Sequence, residues 1–204
     1  MLAINSIRLN SRFIAEIFFV FSYYVKNNIE LVVMMMDITI KKLHDVDFEK
    51  LFEFELENRT YFEEMVPSRG DDYYNFETFK KRNKALLDEQ SQGLSYYYLI
   101  KSKDGLILGR MNLVDIEKSQ GLGHIGYRVG KAYIGKGIAK IALKLLLEAT
   151  SKLGIKQISA KTTVNNIASQ KVLEKNDFKY IATSDEEFSM NGQILSFVYY
   201  NWVK

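Results

Sequence analysis

Tyr127-Arg128-Val129-Gly130-Lys131-Ala132-Tyr133-Ile134-Gly135-Lys136-Gly137-Ile138-Ala139 is the stretch that decides the fold. Its first residues close the run Leu122–Val129, which reads as a strand. Glycines then turn the chain, and Gly137–Leu153 reads as a long helix stopped by Gly154. An apolar stripe of Ile138, Ile141, Ala142, Leu145, Leu146 and Ala149 at helical spacing predicts which face is buried. Glycine lets backbone approach a ligand closely, and the first turn of a helix has N–H groups without partners. A strand, a glycine turn and a helix N-terminus therefore make a candidate anion site suited to phosphate. Gly130 to Lys136 fits G-x-x-x-x-G-K, but Gly137 follows where a nucleotide-triphosphate loop has Ser or Thr to hold magnesium. No G-x-G-x-x-G of a dinucleotide fold is present either.

Outward from that loop, Asp37–Leu43 alternates like a strand, and Asp45 is placed to cap a helix carrying Phe48, Leu51, Phe52 and Leu56. Pro67–Asp72 is a loop, and Phe76–Glu89 an amphipathic helix. Ser95–Lys101, Leu106–Ile116 and Leu122–Val129 are strand-like, with Asp104-Gly105 as a hairpin signal between the first two. Ile155–Thr163 reads as a strand, Ile167–Lys175 as a short helix, and Phe178–Thr183 and Ile194–Val203 as closing strands. The order β-α-α-β-β-β-α-β-α-β-β predicts an α/β fold, a mixed sheet with helices on its faces.

A second patch, Asn166-Ile167-Ala168-Ser169-Gln170-Lys171-Val172-Leu173-Glu174-Lys175-Asn176-Asp177-Phe178, resembles the N-x-A-S-x-x-V-L-E-K-x-G-F signature of the Rim-type branch of the GNAT acyltransferases. Asp177 stands where that branch has Gly, a turn position of positive φ. Ile134-Gly135-Lys136-Gly137-Ile138-Ala139 resembles the R/Q-x-x-G-x-G/A coenzyme A loop of the superfamily, with Ile134 in place of Arg or Gln. His124-Ile125-Gly126-Tyr127 is similar to the branch's E-I-G-Y strand, with His124 for Glu. The resemblance runs from about Asp37 to the C-terminus. It implies a GNAT-type mixed, mostly antiparallel twisted sheet with helices on both faces (α+β), and transfer of acetyl from acetyl-CoA to an amine. The branch acetylates N-terminal amines of ribosomal proteins.

The resemblance also implies site roles. Ile134, Gly135, Lys136, Gly137, Ile138 and Ala139 would hold the pyrophosphate, and a free N–H near Val129 would polarise the thioester carbonyl. Asn166 would bind pantetheine, and Ser169 would stabilise or protonate the departing thiolate; helix capping is the alternative role for both. His124 is the first candidate for general base, since an imidazole of pKa ~6.5 takes protons near neutrality; a polar strand position is its alternative. Glu187, ahead of Asn191-Gly192, is the second. An α-amine of pKa ~7.7–8.0 asks much less of a base than a lysine amine near ~10.4. Direct transfer is the expected mechanism, because a chain with no cysteine forms no acyl-cysteine intermediate. The alternatives are an acetyltransferase for a small amine, such as a polyamine or amino sugar, and a CoA-binding module without catalysis.

Composition narrows the partners. The chain has 204 residues, 47% hydrophobic, with a net charge of +3, too small to indicate nucleic-acid binding. Absence of cysteine excludes disulfides and Cys-ligated zinc, and with two histidines a metal centre is not expected. Lys136–Lys175 holds eight lysines against two acids, whereas Asp45–Glu89 holds thirteen acids against seven Lys or Arg. The basic region suits an anionic cofactor. The acidic one, with Glu53, Glu55, Glu57, Glu63 and Glu64, would offer a rim to a cationic acceptor, or is a solvated helix face. Residues 1–35 read as an appendage upstream of a true start among Met34-Met35-Met36, with a membrane-associated segment as the alternative, and residues 36–204 as the catalytic domain. Phe13–Val25 falls short of the ~20 apolar residues that span a bilayer. The expectation is a cytoplasmic monomer or homodimer without membrane association or direct nucleic-acid contact.

Overall fold

Seven strands pair in the order β1-β2-β3-β4-β5-β7-β6 in a computed structural model that describes residues 38–204. The expectations for residues 1–35 lie outside the described residues. The strands are β1 (Thr39–Lys42), β2 (Tyr96–Lys101), β3 (Ile107–Glu117), β4 (Leu122–Val129), β5 (Gln157–Thr163), β6 (Lys179–Met190) and β7 (Gln193–Val203). The helices are α1 (Phe48–Glu57), α2 (Arg59–Met65), α3 (Phe76–Gln92), α4 (Ile138–Thr150) and α5 (Ile167–Glu174). Every neighbouring pair is antiparallel except β4–β5, which is parallel. This is the mixed, mostly antiparallel sheet expected.

Side-chain alternation assigns the two faces. Tyr97 and Leu99 of β2 pack with Leu43, Phe48, Leu51, Phe54, Phe62 and Phe79 beneath α1–α3. Their neighbours Tyr98 and Ile100, with Met111, Leu113 and Ile125, are buried on the opposite side. There α4 contacts β1, β3 and β4.

Several elements differ from expectation. The first helix begins at Phe48 rather than at Asp45, which opens a single 3-10 turn. The carboxylate that serves the turn is Asp47, whose Oδ2 accepts from His44 N at 3.1 Å. Helix α2 was not expected, because Phe62 is its only buried residue and leaves no period to read. In α4 the buried set is Ile138, Ala142, Leu143, Leu146 and Thr150, so the stripe is rotated from that expected and Ile141, Leu145 and Ala149 lie at its margin. Strand β6 continues past Thr183 through the acidic run Ser184–Glu187 to Met190, with register shifts against β7 between Tyr180 and Ala182 and between Thr183 and Glu187. Asp177 adopts φ 66°, as its replacement of Gly requires.

An ionic contact also ties the helices to the sheet. Glu55 of α1 is fully buried; its Oε1 accepts from Arg110 Nη1 of β3 at 3.1 Å and its Oε2 from Arg128 Nη1 of β4 at 3.0 Å. Removing one partner of a buried ion pair strands the other charge, at ~3–5 kcal/mol. Glu55→Ala is expected to lower unfolding free energy by about that amount in urea denaturation. A loss below ~1 kcal/mol would mean that both guanidinium groups escape to water.

Candidate active site

Strands β4 and β5 pair only from Leu122–Gln157 to Ile125–Ala160. Beyond that point β5 stays with β7 as far as Thr163–Phe197, while β4 stays with β3 as far as Val129–Gly109. The two strands therefore part. Gly130 N donates to Leu108 O at 2.9 Å, so alternate β4 amides, those of Gly126 and Arg128, face β3. The amides of Tyr127 and Val129 face the side that β5 has left.

The loop after β4 meets this gap. Gly135 and Gly137 have φ of 73° and 74°, the left-handed region that glycine reaches without strain. Gly137 is the N-cap of α4 and supplies no side-chain cap. The first α4 amide bonded within the helix is Ile141 N, to Gly137 O at 3.1 Å. Amides of Ile138, Ala139 and Lys140 are thus left pointing out of the helix end, an arrangement that binds anions. Lys131 N is fixed elsewhere, donating to Asn58 Oδ1 at 2.8 Å.

A cleft of about 280 Å³ joins gap and loop. Val129, Ile134, Gly135, Gly137, Ile138, Ala139, Asn166 and Ser169, all singled out from sequence, line it together. Lys136 is not among the lining residues; its Nζ lies 5.7 Å from the centroid of Tyr133. Tyr61, Phe62, Met65 and Val66 close the opposite wall, and Tyr127 and Arg128 the floor. These have no polar motif of their own, though Tyr127 stands in the His124–Tyr127 patch. His124 and Glu187 are exposed and do not line the cleft. His124 shares a strand face with Gly126 and Arg128, and Glu187 pairs with Ser196 across β6–β7. Among the described residues, no Asp, Glu or His side chain lines the cleft.

Asn166 caps α5, its Oδ1 accepting from Ser169 N at 3.1 Å. The Ser169 hydroxyl lies 2.9 Å from the Tyr127 hydroxyl, which is also 3.2 Å from the Ser169 carbonyl oxygen. Each hydroxyl has one proton, so if Ser169 turns its proton into the cleft, Tyr127 must donate to Ser169 Oγ. Of the acidic rim expected on α1 and α2, Glu55 points inward to its arginines, and Glu63 is held by Arg59 and Ser68. Glu53, Glu57 and Glu64 remain exposed.

With this geometry the comparisons agree. A family model described as an acetyltransferase (GNAT) domain matches residues 37–179. The chain belongs to the GNAT family. It is 29% identical over 158 residues, 76% of its own length and 87% of the relative's, to a Bacillus subtilis (strain 168) protein named "Probable N-acetyltransferase YjcK". Its fold is similar to that of a ribosomal-protein-S5-alanine acetyltransferase from Vibrio fischeri, with TM-score 0.75 and 21% identity over 81% of this chain and 92% of that one. A ribosomal L7/L12 α-N-protein acetyltransferase in complex with coenzyme A gives TM-score 0.74 and 20% identity over 81% and 93%. At such identities these two structures bear on fold. This GNAT enzyme is accordingly an N-acetyltransferase. Among its described residues no helix is long and apolar enough to cross a membrane, and no group of acidic and histidine side chains is placed to hold a metal ion.

Burial pushes the Tyr127 phenol up to about 12, opposed by the Ser169 hydrogen bond. A folded-state pKa above the ordinary ~10 contributes stability that is complete below pH ~10 and is lost as pH rises through the folded value. Tyr127→Phe should therefore flatten the decline in unfolding free energy between about pH 10 and 12. It should also remove one late-ionising phenol from an ultraviolet titration. Loss of a phenol that ionises at the ordinary ~10 instead would place the Tyr127 hydroxyl in water.

Proposed function

We propose that the enzyme transfers acetyl from acetyl-CoA directly to the N-terminal α-amine of a protein, with ribosomal proteins as the acceptor class. The observation carrying this reading is the continuity of the cleft. It runs from the unclaimed amides at Gly135–Lys140 through the parted strands to Ser169. The basic run Lys136–Lys175 adds a favourable field for a pyrophosphate. The relatives' names supply the acceptor class.

In this mechanism the α4 N-terminus and its glycine loop bind the pyrophosphate, and the apolar walls at Phe62, Met65, Val129 and Val172 exclude water from the pantetheine arm. Val129 N–H donates to the thioester carbonyl oxygen, where negative charge develops as the amine attacks. The C–S bond then breaks, and Ser169 Oγ–H donates to the departing thiolate while Tyr127 donates to Ser169 Oγ. An α-amine is about a tenth neutral near pH 7, so water can carry its proton out of the cleft. His124 and Glu187 are the two side chains assigned as possible ends of that path.

Acetyl-CoA turnover, followed by thiol release against N-terminal peptides, polyamines and amino sugars, tests the reading. Peptides with free α-amines should be the best acceptors. Ser169→Ala should lower kcat by on the order of 10²-fold with little change in KM for acetyl-CoA. Gly137→Val should weaken CoA binding, because a β-branched residue is strained at φ 74°. His124→Gln should lower kcat more than acetyl-CoA affinity, and an unaltered pH–rate profile would remove His124 from the path. CoA binding with no acceptor turned over would replace this reading with a non-catalytic CoA-binding module.

A further inference from the structure

A second cavity, of about 340 Å³, lies on the α1–α3 side of the sheet and is not part of the CoA cleft. Arg69, Arg82, Arg110, Asn83 and Asn112 line it, together with Tyr73 and others. Asn83 is 1% exposed; its Nδ2 donates to Phe79 O at 2.9 Å, and its Oδ1 is buried without a hydrogen-bond partner among the described residues. Asn112 Oδ1 is buried and unpartnered in the same way. Two buried acceptors lacking donors beside one cavity are uncommon and point to a group that supplies N–H or O–H.

The charges around the cavity point to what else that group carries. Arg69 Nη1 donates to the Tyr73 hydroxyl at 2.5 Å, and the Arg82 guanidinium lies 5.7 Å from the Tyr73 ring centroid. Among the described residues neither arginine pairs with a carboxylate. Arg110 shares Glu55 with Arg128, leaving that cluster positive as well. Glu89, the acid nearest to Tyr97 in bonding, is engaged by the Tyr97 hydroxyl. Guanidinium groups with spare donors around a positive cavity favour a carboxylate.

One wall of the cavity lies near the parted strands. Asn112 stands opposite Gly126 on β4, the first residue beyond the last β4–β5 pair, and a Cβ there would meet nothing within 4 Å. One strand thus separates Asn112 from the gap, with no side chain standing over Gly126. That is ~4.8 Å of sheet, within reach of a chain advancing ~3.3–3.6 Å per residue.

We propose that this cavity is an acceptor subsite for an acidic residue a few positions behind the reacting N-terminus. Arg69, Arg82 and Arg110 hold its carboxylate, and Asn83 and Asn112 accept from the acceptor's backbone N–H groups. This rests on the acetyltransferase reading above and turns the expected preference around: the bound segment is acidic, not cationic.

The test uses fluorophore-labelled peptides with free N-termini that differ only in carrying Asp or Asn at their second to fourth residues. Equilibrium binding to the full chain is measured by anisotropy with CoA present, and acetyl transfer is measured separately. The Asp peptides should bind about tenfold more tightly than the Asn peptides. In the Arg69→Gln/Arg82→Gln double variant, whose altered side chains are exposed, that preference should vanish. Asn-peptide binding and CoA binding should stay unchanged. Equal binding of the two peptide sets by the natural chain, or a preference that survives in the variant, would overturn the subsite. Asp-selective binding without acetylation of any amine would instead overturn the acetyltransferase reading and leave the subsite standing.

Discussion

The parting of β4 from β5 is the constraint on which the site depends. A parallel pair that closed along its full length would consume the amides of Tyr127 and Val129 and fill the cleft with backbone. It stops at Ile125–Ala160, beyond which each strand keeps only its antiparallel partner, β3 for β4 and β7 for β5. The exposed amides are therefore free without being a defect, since they face a cleft built to be entered.

Glu55 ties the helices to that opening. One carboxylate receives Arg110 from β3 and Arg128 from β4, the first facing the cavity under α3 and the second the cleft. A buried ion pair of this kind adds little net stability compared with apolar packing, but it fixes register strongly. Here it holds α1 against the strands that carry the site. Asn58 acts similarly from the end of α1, donating to Phe54 O at 2.8 Å and accepting from Lys131 N at 2.8 Å.

The glycine turn ahead of α4 was legible because its backbone geometry is local. Glycines at Gly135 and Gly137, followed by a helical period, specify backbone amides without any distant contact. Asn166 was legible as a cap for the same reason, and Asp177 as a turn of positive φ. Glu55 was not, since a glutamate on a helix reads as solvated until partners 55 and 73 residues away are known. The same distance effect hid the two roles of the acidic half, where some carboxylates face water and others arginine. Strand β6 was read too short because its pairing is dictated by β7 across register shifts, not by an apolar alternation of its own. His124 and Glu187 came from matching positions to a family pattern, which fixes a strand and a hairpin but not which side chains reach the cleft wall; both stand outside it.

Strand β7 is last in the chain but interior in the sheet, lying between β5 and β6. The sheet is thus incomplete until residues 193–203 have left the ribosome, and the pairing of β7 with β5 is among the last to become available. Loop closure over such separations slows folding, and a nascent chain lacking its final strand exposes both the β5 and β6 edges. Synthesis order therefore delays the cleft until β7 has emerged to pair with β5.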